Sequence, residues 1–205
     1  MKNNKVFITL LLLFTLQNIS LSQSTKSLLS GFGLEFGGGQ NSMFWSAPFN
    51  IRTLGGVPAD RTEMKFAPNI RITYKLDYQI PIALLPFLGY NQIGGSSNED
   101  KYSFNSIEIG GFALYKLSNI NFGIGIKMDY LLDAEYKLLN SNSKWDRSDW
   151  FTKLTSDVGL RASYSLKPFI IGVETWFGII NLASGATDGA KIYENHYRVL
   201  LGYGF

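Results

Sequence analysis

The chain has 205 residues, a formal net charge of +3 and no cysteine. That length holds one domain, and the missing thiols exclude a disulfide framework and thiolate metal sites. Charged residues make up 17% and aromatics 15%, which is too few charges and too many rings for a disordered chain; no basic run of the kind that binds nucleic acid is present.

The first residues read as an export address. Met1-Lys2-Asn3-Asn4-Lys5 is a short positive segment, and Val6 to Leu16 is an apolar run too short for a spanning helix. Ser20 and Ser22 place small residues at the −3 and −1 positions of a cleavage site. The expected cut lies between Ser22 and Gln23, giving a signal peptide over 1–22 and a barrel domain over 23–205.

Beyond that point the dominant signal is alternation with a period of two, the mark of strands. Weak alternation appears over 28–38, and a clear strand follows: Met64, Phe66, Ile70, Ile72 and Tyr74 share one face, while Lys65, Asn69, Arg71, Thr73 and Lys75 share the other. The stretch 80–93, with Pro81 and Pro86, is the least regular, and 102–117 is again weak. Ile120, Phe122, Ile124, Ile126, Met128 and Tyr130 oppose Asn121, Gly123, Gly125, Lys127 and Asp129. Leu154, Val158, Leu160, Ala162 and Tyr164 oppose Lys153, Asp157, Gly159 and Arg161. Ile171, Val173, Thr175 and Phe177 oppose Gly172, Glu174, Trp176 and Gly178. The last strand sets Tyr193, Tyr197, Val199, Leu201, Tyr203 and Phe205 against Glu194, His196, Arg198, Gly202 and Gly204.

These are eight candidate strands, joined by short turns near 77–79, 118–119 and 165–168 and by longer segments near 39–63, 94–101, 133–149 and 181–192. Short turns on one side and long loops on the other are the pattern of outer-membrane barrels. Three further features favour a membrane barrel over a soluble one. The strands are longer than the usual five or six residues of soluble sheets. The charges keep to one face, and a lysine or arginine facing mid-bilayer lipid costs about 2–4 kcal/mol. Tyr74, Tyr115, Trp150, Tyr164, Tyr193, Tyr203 and Phe205 cluster at strand ends, as interfacial girdles do. The predicted fold is therefore all-β, an eight-stranded antiparallel up-and-down transmembrane β-barrel.

The ending Tyr197-Arg198-Val199-Leu200-Leu201-Gly202-Tyr203-Gly204-Phe205 resembles the terminal strand of outer-membrane barrels, in which a final phenylalanine preceded by alternate aromatics is read by the barrel-assembly machinery. Tyr203 and Phe205 stand where that resemblance puts the assembly signal. Together with this ending, the segments 102–115, 120–130, 157–164 and 177–182 resemble the PorT-like outer-membrane barrels common in Bacteroidota. The resemblance implies an eight-stranded barrel in the outer membrane, surrounded by lipid and lipopolysaccharide. It implies no single activity; one member is linked to protein secretion, and no residue here carries that link over.

The interior parity collects Glu35, Glu108, Asp129, Asp157 and Glu174 with Lys65, Arg71, Lys75, Lys127, Lys153, Arg161 and Arg198. Eight strands enclose a space that side chains fill, so these charges are expected to form a structural network, with Glu174 near Arg161 or Arg198. The other reading of the same residues is a narrow polar pore. No catalytic, cofactor or metal site is expected. The single histidine, His196, has interior parity, which argues against an outward-facing lipid hydrolase, and one histidine is a poor basis for zinc. Asn98-Glu99-Asp100 and Asp146-Arg147-Ser148-Asp149 lack calcium-loop spacing and read as solvated loop charges. Phe44, Trp45 and Phe49 in the first long loop either cover the barrel mouth or offer a contact to a protein partner.

Overall fold

The computed structural model describes residues 31–46, 65–78, 80–96, 100–138, 144–146, 148–182 and 191–204. The expected signal peptide and its cleavage point, Phe49 and Phe205 lie outside these residues. The elements are β1 (Gly31–Ser46), β2 (Lys65–Asp77), β3 (Ile82–Ser96), β4 (Asp100–Leu117), β5 (Ile120–Leu138), a short β6 (Lys144–Asp146), a 3-10 turn (Ser148–Trp150), β7 (Leu154–Leu166), β8 (Phe169–Gly178) and β9 (Lys191–Gly204).

Each of the eight long strands pairs antiparallel with the next long strand along the chain, β5 with β7 among them, and β9 pairs with β1, so the sheet closes on itself. Eight long strands form the wall, and β6 pairs only with the outer end of β5. Closure leaves the wall without an unpaired edge, as a chain in hydrocarbon requires. One end carries tight connections: β4 turns into β5 through Ser118 and Asn119, with Ser118 at φ 56°, and β7 into β8 through Lys167 and Pro168.

Several boundaries differ from the sequence reading. Residues 39–46, expected as loop, continue β1 against β9, and 133–138 continue β5. Three residues separate β3 from β4, where a longer loop was expected. In β3 the inner residues Leu85 and Phe87 are as apolar as the outer Leu84 and Leu88. Alternation there was faint because both faces are greasy, not because the strand is irregular.

The facing of the side chains shows what solvent the wall is built for. Ile124 and Ile126 are 67% and 70% exposed, whereas Lys127 beside them is 1% exposed. Phe36, Ile72, Leu88, Ile109, Leu160, Val173, Val199 and Leu201 continue the apolar exterior around the barrel. A water-soluble barrel would reverse this arrangement. From Phe122 to Tyr130 the rise along a strand tilted by about 40° is roughly 20 Å, near the ~25 Å apolar band of membrane barrels. Aromatics border the band on the turn side, where Phe32 packs on Tyr74 at 4.8 Å and Phe169 on Tyr203 at 5.6 Å. Tyr90 and Tyr130 border it on the loop side. Beyond them the exterior becomes polar: Tyr90 Oη donates to Asn105 Oδ1 (2.6 Å), and Asn105 Nδ2 donates to Asp133 Oδ1 (2.8 Å).

Inside, bulky side chains fold over glycines on the next strand. Leu114 faces Gly123, Phe112 faces Gly125 and Trp176 faces Gly159, and a Cβ on any of the three glycines would lie within 2.6 Å of the facing side chain. Aromatics lying over cross-strand glycines let a narrow barrel bend and still fill its interior. Gly39 is more constrained, since a Cβ there would sit 1.8 Å from the Tyr197 carbonyl oxygen at the β1–β9 seam. Gly39→Ala is expected to cost about 1–3 kcal/mol by overpacking. In urea unfolding from detergent micelles its midpoint will fall. Gly111→Ala, whose nearest contact would be an ordinary 3.5 Å, will leave the midpoint almost unchanged.

Candidate functional site

The barrel interior is built in layers. On the turn side Ala83, Leu85, Phe87, Phe112, Leu114 and Trp176 form one apolar cluster. On the loop side Met43, Ile93, Phe104, Leu131, Ala134, Phe151 and Leu182 form another, with the Phe104 and Phe151 rings 4.6 Å apart. Charges occupy the space between. A cavity of about 10 Å³ lies among Phe104, Asp129, Phe151 and Thr155, room for about one water molecule.

Two arginines and two glutamates alternate in a closed ring. Glu35 accepts from Arg71 Nε at 2.8 Å and from Arg161 Nη1 and Nη2 at 3.0 and 2.7 Å. Glu174 accepts from Arg161 Nη1 at 2.6 Å, from Arg71 Nη1 at 3.1 Å and, more closely, from Arg71 Nη2. Trp176 Nε1 adds a donor to Glu174 at 3.0 Å. The Arg71 guanidinium also lies 4.5 Å from the centre of the Phe87 ring, joining the ionic layer to the turn-side cluster. Forked guanidiniums suit this arrangement because each can serve two carboxylates in fixed geometry.

A second group lies toward the loop side. Glu108 accepts from Asn69 Nδ2 (2.7 Å) and Arg198 Nη1 (3.1 Å). Lys127 Nζ is paired with Asp129, lies 2.8 Å from Asp157 Oδ2 and 3.7 Å from Glu108 Oε2. Asn91 Nδ2 reaches Asp129 at 3.3 Å. These charges are 4% exposed or less, so each depends on its partners rather than on water.

Of the residues that parity assigned to the interior, Glu35, Arg71, Glu108, Lys127, Asp129, Asp157, Arg161, Glu174 and Arg198 are buried here. Glu174 lies opposite both Arg161 and Arg198 in register, yet only Arg161 bonds it; Arg198 crosses the lumen to Glu108. Three lysines depart from the expectation. Lys153 is exposed, because β7 begins at Leu154 and parity has no meaning outside the strand. Lys75 is half-buried at the turn end, 3.2 Å from Asp77 Oδ2. Lys65 sits at the loop end, donating to the Tyr102 carbonyl (3.1 Å) and to the Ser103 hydroxyl. Glu194 was missed as an interior acid, although its parity with His196 and Arg198 marked it.

Phe44 and Trp45 lie in β1, with their backbones opposite Tyr193 and Ile192, rather than in a loop. In the loop-side extension, Asp146 accepts hydrogen bonds from the Ser148 hydroxyl (2.5 Å) and amide (2.9 Å), which hold its carboxyl below the usual range.

A closed antiparallel barrel of eight strands, apolar outside and ionic within, is a transmembrane β-barrel. Its fold is similar to that of Neisserial surface protein A, at a TM-score of 0.57 and 10% identity over 85% of this chain and 97% of that one. It is also similar to Ail, the attachment invasion locus protein of Yersinia pestis, at 0.52 and 11% over 86% and 99%. No family model and no curated protein matches the chain.

Proposed function

We propose that this protein is a non-enzymatic integral outer-membrane barrel with a filled lumen, serving as a structural or surface-interaction element rather than a channel. The observation that carries this reading is the layered interior: an ionic layer bonded across the lumen, with an apolar cluster on each side of it. An ion would have to pass both clusters and break a buried network. The hydrolase reading finds no support, because the single histidine is fully buried in the lumen rather than set on the outer surface. The outer membrane is the site proposed, with the tight turns toward the periplasm, and lipid, lipopolysaccharide and the barrel-assembly machinery as its first partners.

A second reading is the PorT-like one, an accessory role in protein secretion. It rests on the resemblance of the strand segments and is compatible with the loop-side extension. There β5 runs on to Leu138 and pairs with β6, stacking Tyr136 on Trp145 at 5.6 Å. That extension offers a protein partner a surface clear of the lipid.

Planar-bilayer recording separates the filled barrel from a pore. The purified full chain will insert without steady, stepwise current. Reproducible unit conductance that scales with salt would overturn the filled-lumen reading.

A further inference from the structure

The ionic layer is not electrically balanced. Among the described residues the buried cations are Arg71, Lys127, Arg161 and Arg198, four in all, against six buried carboxylates: Glu35, Glu108, Asp129, Asp157, Glu174 and Glu194. Two negative charges are left over in a space closed off from water, where an uncompensated ion is strongly disfavoured.

The excess has a location. Glu35 and Glu174 are saturated by the two arginines, Glu108 by Arg198 and Asn69, and Asp129 by Lys127 and Asn91. Glu194 is 2% exposed, and neither of its carboxylate oxygens has a hydrogen-bond partner. Asp157 keeps an ion pair with Lys127, but its Oδ1 is equally unbonded. Both acids converge on His196, whose Nε2 is also unbonded, at 3.3 Å from Glu194 Oε1 and 3.6 Å from Asp157 Oδ2.

We propose that Asp157, Glu194 and His196 bind a divalent transition-metal cation of the zinc type inside the barrel. One atom from each residue lies within 4.8 Å of the others. A tetrahedral ion with bonds of about 2.0–2.1 Å needs ligand atoms about 3.4 Å apart. The two separations to His196 are close to that length, and the two carboxylate oxygens, within 4.8 Å of each other, would draw together to about 3.4 Å to complete the face, Asp157 Oδ2 keeping Lys127 as its second partner. The donor set of one imidazole nitrogen and two carboxylate oxygens suits a borderline divalent ion better than the all-oxygen shell of calcium or magnesium. Two positive charges cancel the two unmatched negative ones. Arg198 Nη2 lies 3.4 Å from His196 Nδ1, a long contact that ligation through Nε2 would replace, because Nδ1 then carries the ring proton. Sequence reading discounted zinc because there is one histidine. The fold supplies the carboxylates, Asp157 from β7 and Glu194 from β9.

The site lies beneath the apolar loop-side layer, so a bound ion would exchange slowly. The test is therefore made on full-length protein folded with Zn²⁺ present, desalted in detergent without chelator, and measured for metal content. Close to one zinc per chain is expected. In Glu194→Gln or His196→Gln barrels that keep the heat-modifiable folded band, content should fall at least tenfold, while the exposed-site control Glu135→Gln should match wild type. X-ray absorption on the wild type should show a nitrogen and oxygen shell with one imidazole. This measurement decides the matter if both lumen variants fail to fold. Wild-type content below a tenth of an equivalent, an absorption spectrum without imidazole, or folded lumen variants that retain full zinc would overturn the proposal and assign the missing positive charge to protons.

Discussion

Replacing Arg71 with methionine is expected to lower barrel stability by about 3–5 kcal/mol, the cost of removing one partner from a buried ion group. Arg71 bonds Glu35 on the neighbouring strand and Glu174 across the lumen, so it holds half of the ring. Without it each glutamate keeps only Arg161 as an ionic partner, and the buried charge becomes more negative. Methionine fills a similar volume, so the loss would report charge rather than a cavity. Urea titration of the heat-modifiable folded form, followed on gels or by tryptophan fluorescence, reads the change directly. The double variant Arg71→Met/Glu174→Gln should recover part of the loss, because it removes an acid along with its base. A single variant that unfolds at the wild-type midpoint would mean that the ring carries none of the stability assigned to it.

Ile126→Arg is expected to destabilise the barrel by about 2–4 kcal/mol in lipid, whereas Leu166→Arg should cost about 0–1 kcal/mol. Both positions face outward and both are at least half exposed, so burial in the protein does not distinguish them. Depth does: Ile126 lies between Phe122 and Tyr130, near the middle of the apolar belt, and Leu166 ends β7 beside the turn. A water-soluble barrel would tolerate both changes equally. Refolding each variant into phospholipid vesicles over a urea series measures the difference. Equal and small effects at the two sites would remove the membrane from the account of this fold.

The two variants also separate what was legible in the chain from what was not. That Ile126 faces out and Lys127 faces in could be read from β5 alone, because a strand alternates and charge is expelled from hydrocarbon. The same logic placed Arg71, Arg161 and Arg198 inside. It failed at Lys153, where a strand boundary moved by one residue, and it was nearly blind in β3, where apolar residues line both faces. The extension of β1 to Ser46 was hidden for a related reason. Gly39 reads as the start of a loop after a weak strand over 28–38, yet the close approach of the β9 backbone is what calls for glycine there.

Apart from Glu174 with Arg161, which adjacent strands suggested, the partners of the interior charges could not be read. Register neighbours such as Glu35 and Arg71 follow once strand order is known, but Arg71 with Glu174 and Arg198 with Glu108 are contacts across the lumen. They depend on how far the strands tilt and stagger as the sheet closes, which is a property of the whole wall. The gathering of Asp157, Glu194 and His196 has the same origin.

The chain by itself determined that there are long amphipathic strands, which side of each is charged, and that the charged sides must be kept from lipid. Those follow from backbone pleat and the cost of solvating ions in hydrocarbon, both local in sequence. Only the closed tertiary structure decided which acid meets which base, where apolar layers seal the lumen, and where negative charge is left unmatched. Such contacts join residues whose separation along the chain carries no information about their distance across the barrel.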